Sequence, residues 1–123
     1  MTQRLLALLV AFAAGLGSLV EWERAQARQS DDAVMALRTA RLGPTTRARL
    51  GTWFRAVHPE TLLVWRGYPA GLMDERSLVE LVTTRDETTH VYRFAVRVDD
   101  RDVEPLDPKS AALVERVLQW ARP

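Results

Sequence analysis

The sequence predicts an α+β domain: an N-terminal membrane or signal helix, then helices, a small antiparallel sheet of about three strands, and a C-terminal helix packed on the sheet. Three observations predict it. An uncharged apolar run, Leu5 to Val20, stands near the start. Beyond Pro59 the apolar pattern changes from helical spacing to short runs and alternation. Near the end, Asp107-Pro108 introduces a second helical stripe.

The first run, LLALLVAFAAGLGSLV, is 16 residues long, about 24 Å of helix at 1.5 Å per residue. It falls between a signal-peptide core of about 7–15 residues and a bilayer span of about 20. Trp22 suits the headgroup level, and Ala25-Gln26-Ala27 forms an A-x-A cleavage site. The expected product is a single-pass anchor carrying an extracytoplasmic domain; the alternative is secretion after cleavage near Ala27. The chain then divides into a membrane anchor or signal segment (1–27), a helical linker (28–43) and a small α+β extracytoplasmic domain (44–123).

Residues 21–42 hold no Pro or Gly and read as helix, ended by Gly43-Pro44. A second helix is predicted to start near Pro44, with Leu50, Trp53, Phe54 and Val57 on one stripe and His58-Pro59 as its stop. Thr61–Trp65 (TLLVW) is a short apolar run, hence a strand, and Gly67, Pro69 and Gly71 mark a loop. Leu78–Thr84 fits strand or helix. Val91–Val98 alternates, with Tyr92, Phe94, Val96 and Val98 on one side and Arg93 and Arg97 on the other. The two runs, joined across Arg85–Glu87, predict an antiparallel hairpin. Asp107 caps the last helix, and Leu113, Val114, Val117, Leu118 and Ala121 form its apolar face.

The 123 residues are 47% hydrophobic and 27% charged, a balance that excludes a fully disordered chain. There is no cysteine, so disulfides, thiolate metal sites and cysteine nucleophiles are excluded. Lys and Arg total 17 against 16 Asp and Glu, which argues against nucleic acid as a partner. Lys109 is the only lysine, and Ile and Asn are absent, a bias that a GC-rich genome explains. The charges segregate. Eight Arg face three acids between Arg24 and Arg66, whereas five Arg face ten acids between Asp74 and Asp107. That layout reads as two solvated faces, or as halves that pair with each other; the functional alternative is a bipolar surface that docks a partner or sits near anionic headgroups.

No motif for catalysis or metal binding is found: no HExxH, no Gly-rich phosphate loop and no G-x-S-x-G. His58 ends a helix and His90 opens a strand, a separation that predicts no shared ion. The run Asp99, Asp100, Asp102, Glu104 and Asp107 reads as a solvated connection. Trp65-Arg66-Gly67-Tyr68, at a strand end, is the best exposed binding feature. The candidate binding residues are therefore Trp65, Arg66, Tyr68 and His90, with no catalytic residue, metal ligand or cofactor. The expected function is a non-enzymatic, membrane-tethered envelope or phage-related module. Its expected contacts are a protein partner and, through Leu5–Val20, the membrane.

Two resemblances touch these residues. Arg66-Gly67-Tyr68-Pro69, followed by Thr88, His90 and Ala95, resembles the zinc D-alanyl-D-alanine carboxypeptidases and related phage endolysin peptidases. That family ends a strand in a Gly-Tyr-Arg-Ser-like turn and then carries S-x-H-x-x-G-x-A-x-D. Arg93 stands at its Gly and Arg97 at its metal-binding Asp, so only His90 of a zinc site is retained. The resemblance implies an inactive peptidase-like fold that recognises cell-wall peptide. The stretch His90-x-x-x-Phe94-x-Val96-x-Val98, with a helix after it, is equally similar to the centre of a double-stranded-RNA-binding domain. That family wants a Lys-rich helix start, where this chain has Lys109 behind an acidic loop. Two unrelated families fit one strand, so neither establishes membership.

Overall fold

Alternation along residues 77–96 fixes the centre of the fold. In a computed structural model, which describes residues 23–25, 27–69 and 75–123, Ser77, Val79, Leu81 and Thr83 point to one side of a strand at Ser77–Arg85. Tyr92, Phe94 and Val96 point to the same side from a strand at Thr88–Val96. In chain order the elements are α1 (helical at 23–25 and 27–39), α2 (Leu50–Val57), β1 (Leu62–Tyr68), β2 (Ser77–Arg85), β3 (Thr88–Val96), β4 (Val103–Pro105) and α3 (Pro108–Ala121). The architecture is α+β, as expected. The sheet is an antiparallel meander in the order β1-β2-β3-β4.

Leu78–Thr84, open between strand and helix in the sequence, lies in β2. The β-branched Val79, Val82, Thr83 and Thr84 favour the pleated backbone. β2 pairs with β3 from Ser77↔Val96 to Arg85↔Thr88. Asp86 and Glu87 close the hairpin with φ of 50° and 64°. Two left-handed residues match the twist of the flanking strands.

Two expectations need correction. The sheet has four strands rather than about three, because Val103–Pro105 adds an edge strand, Val96↔Val103 to Phe94↔Pro105. The acidic run turns back on itself to place it. Arg101 is left-handed at φ 57°, the Arg97 N–H donates to the Asp102 carbonyl (2.9 Å), and the Asp102 N–H donates to Asp100 Oδ1 (3.0 Å). Pro105 sits at the edge, where a missing N–H is tolerated. The second helix starts at Leu50, not near Pro44. The Leu42 N–H donates to the Ala48 carbonyl (2.7 Å), which closes the intervening residues into a loop.

All three helices pack on one sheet face. The core joins Ala33 and Leu37 of α1, Leu50, Trp53 and Phe54 of α2, and Leu113 and Val117 of α3 to Val79, Leu81, Tyr92, Phe94 and Val96. The burial of Trp53 and Phe94 follows the sequence stripes. The stretch 28–43 thus carries core residues as well as connecting. Ala33 and Ala36 are buried on α1, as is Ala40 just beyond its end, and these small side chains let the helix approach the sheet closely. At Gly67 the approach is closest: a Cβ there would lie 2.4 Å from the Ser30 carbonyl oxygen and 2.9 Å from Val34 Cγ2. Asp107 caps α3 as predicted, its carboxylate accepting from the Ser110 N–H at 2.7 Å, with Pro108 in the first turn.

Among the described residues no helix is long and apolar enough to cross a membrane. The predicted Leu5–Val20 segment lies outside the described residues.

Candidate functional site

Strand β1 is apolar on both faces. Leu63, Trp65 and Gly67 turn toward the helices, whereas Leu62, Val64, Arg66 and Tyr68 turn to the opposite face. No described helix covers that second face. Leu62, Val64 and Tyr68 are 64%, 40% and 39% exposed, unusual for large apolar side chains on a sheet.

Register arranges this face into rows across β1, β2 and β3. Val64, Val82 and Val91 form one apolar row, and Tyr68, Leu78 and Ala95 form another. Between them runs a charged row, Arg66, Glu80 and Arg93. Arg93 Nε lies 3.5 Å from Glu80 Oε2, and Arg93 also approaches the Asp107 carboxylate at 4.0 Å. The Tyr68 hydroxyl hydrogen-bonds to Glu80, which, with some desolvation and the nearby negative charge, raises its pKa above the ordinary phenol value; Arg66 pulls it back. The result is a sheet face of two apolar rows with a polar row between them, in which Arg93 pairs with Glu80.

A second feature lies on the helix side, at the end of the β2–β3 hairpin. A pocket of about 250 Å³ is lined by residues that include Trp53, His58, Arg85, His90, Tyr92 and Arg116. It brings both histidines to one place, which the sequence separation did not suggest. Register brings His90 level with Thr83 of β2, and both line the pocket together with His58 at the end of α2. The His58 ring packs edge-on to Trp53 at 5.4 Å, and the Arg85 guanidinium donates to His58 Nδ1. Arg85 also lies 3.6 Å from Glu60. Desolvation raises the Tyr92 hydroxyl above its ordinary pKa, opposed by Arg116 and Arg85. Among the described residues neither imidazole pairs with a carboxylate; the group that holds the His58 ring is the cationic Arg85. Nor is there, among them, a group of three or more His, Asp or Glu that could hold a metal.

The four candidate residues separate. Trp65 sits on the helix side against the core, Arg66 and Tyr68 share the open face, and His90 stands at the pocket. Sequence reasoning missed Leu62, Val64, Leu78, Val82 and Val91 as a surface. The signal was present: in TLLVW, apolar residues occupy consecutive positions, so both faces of the strand are greasy. No protein-family model, curated protein or solved structure matches the chain.

Proposed function

We infer that the protein is a non-enzymatic contact module, held at a membrane by Leu5–Val20 with its domain on the extracytoplasmic side, and that it binds a protein partner through the open sheet face. The carrying observation is that face, with Leu62, Val64 and Tyr68 exposed opposite a helix-covered side. Its two apolar rows would seat apolar side chains of a partner, and Arg66 offers a charge at the seam. The tether rests on the apolar run in the sequence alone.

The test is photo-crosslinking of the full chain in its native cells, with a benzophenone side chain at position 64. The expected result is one adduct with a second polypeptide, lost on Val82→Asp, from a fraction that resists carbonate extraction. An adduct of two copies would make the face a self-association surface. No adduct, or recovery of the uncleaved chain in the soluble fraction, would defeat the contact or the tether reading respectively.

A further inference from the structure

Between α1, α2 and β1 lies a groove of about 750 Å³ lined by Arg38, Arg49 and Arg55, with Trp65, Met35 and Leu63 as its apolar wall. Arg38 comes from α1, Arg49 is the N-cap of α2, and Arg55 lies in the last turn of α2. The Arg38 guanidinium carbon is 5.9 Å from the Trp65 ring centroid. Arg55 folds back along its helix: one of its terminal nitrogens is 3.9 Å from where a Cβ on Gly51 would stand. A cation of the last turn therefore lies beside the first turn.

That placement is electrostatically unfavourable as it stands. A helix N-terminus carries partial positive charge and unsatisfied N–H groups, and it prefers anions. Here α2 has no side-chain cap and no acidic residue in its first turn. Among the described residues none of the three arginines pairs with a carboxylate. Arg49 Nε is moreover buried without a hydrogen-bond partner, a costly state for a charged donor. Three guanidinium groups, one of them carrying the unpartnered Arg49 Nε, line one groove at a helix N-terminus, and the described residues pair none of them with a carboxylate.

We propose that this groove binds a phosphomonoester. Guanidinium forks match phosphate geometry in paired hydrogen bonds. Three forks offer more donors than the two oxygens of a carboxylate can take, whereas a phosphomonoester presents three terminal oxygens. The groove exceeds a bare phosphate, and the wall of Trp65, Met35 and Leu63 suits a planar or apolar remainder. This site is on the helix side of the sheet, apart from the open face, and does not depend on it.

The test uses the full chain and two probes: phenyl phosphate in solution, and vesicles of phosphatidylcholine with and without phosphatidic acid. Phenyl phosphate is expected to bind once per chain by calorimetry, and Arg38→Gln and Arg55→Gln each to weaken it about tenfold or more. Without ligand, the double variant should melt at or above the wild-type temperature, because repelling cations have been removed. Should phenyl phosphate fail but vesicles with phosphatidic acid retain more wild-type protein than phosphatidylcholine alone, and the double variant lose that excess, the phosphomonoester is a lipid headgroup and the proposal stands. Binding of neither probe, binding undiminished in the double variant, or a double variant melting several degrees below wild type would overturn it.

Discussion

The backbone N–H of Arg93 donates to Ser110 Oγ at 2.8 Å, which ties β3 to the first turn of α3. The Arg93 carbonyl accepts from the Leu106 N–H at 2.9 Å, just beyond β4. Ser110 is fully buried and its own N–H is held by Asp107. One residue of β3 thus has both its backbone groups satisfied by the segment that starts the last helix. This contact fixes how α3 sits on the sheet.

Replacing Ser110 with Ala removes that acceptor and leaves the Arg93 N–H without it. The expected loss is about 1–3 kcal/mol. A urea titration should show a lower midpoint with an unchanged slope, and an unchanged midpoint would refute the link.

Asp107 gives the pH dependence. Hydrogen bonds from Ser110, aided by Arg93 and Lys109 nearby, hold its carboxyl below the ordinary carboxylate value. Its folded pKa is depressed, so its stabilising share is complete above the unfolded value and is lost as pH falls through the folded value. Stability should therefore drop below about pH 4, and Asp107→Ala should flatten that limb while costing about 1 kcal/mol at neutral pH. Thermal melts at a series of pH values measure both.

Two glycines should respond with opposite sign. At Gly67 an added methyl meets the Ser30 carbonyl oxygen, so α1 must shift, and Gly67→Ala should cost about 1–3 kcal/mol. At Gly51 an added methyl meets an Arg55 nitrogen at 3.9 Å, ordinary contact. Gly51→Ala lies inside α2 and should gain about 0.5–1 kcal/mol from helix propensity. Equal effects at the two sites, measured by chemical denaturation, would contradict the packing of α1 on β1.

Glu87 holds a left-handed backbone at φ 64° in the hairpin turn. A side chain there costs about 1–2 kcal/mol, which glycine escapes. Glu87→Gly is expected to raise the denaturation midpoint. A fall would mean that the side chain itself supports the hairpin.

Where a local pattern decides the outcome, the sequence was readable. Period-two spacing put Tyr92, Phe94 and Val96 on one face, helical spacing put Trp53 inward, and Asp107-Pro108 started α3. What escaped depends on pairing between distant residues. β4 is three residues long in an acidic stretch and is a strand only because β3 offers an edge. His58 and His90 line one pocket, with His90 placed by its pairing to Thr83. Trp65-Arg66-Gly67-Tyr68 looked like one feature, yet strand geometry sends Trp65 and Gly67 one way and Arg66 and Tyr68 the other.

The meander has a consequence for assembly. Each strand pairs with its sequence neighbour, so the sheet forms through short loop closures with small entropic cost. The two-residue turn at Asp86-Glu87 makes the β2–β3 hairpin the cheapest first step. Helix α1, like α2, depends on longer-range contacts. Its Ala33 and Leu37 precede every strand in the chain, and the close fit at Gly67 exists only once β1 is in place. Because α1 is synthesised before β1, its small-residue face can reach its place at Gly67 only after β1 has emerged.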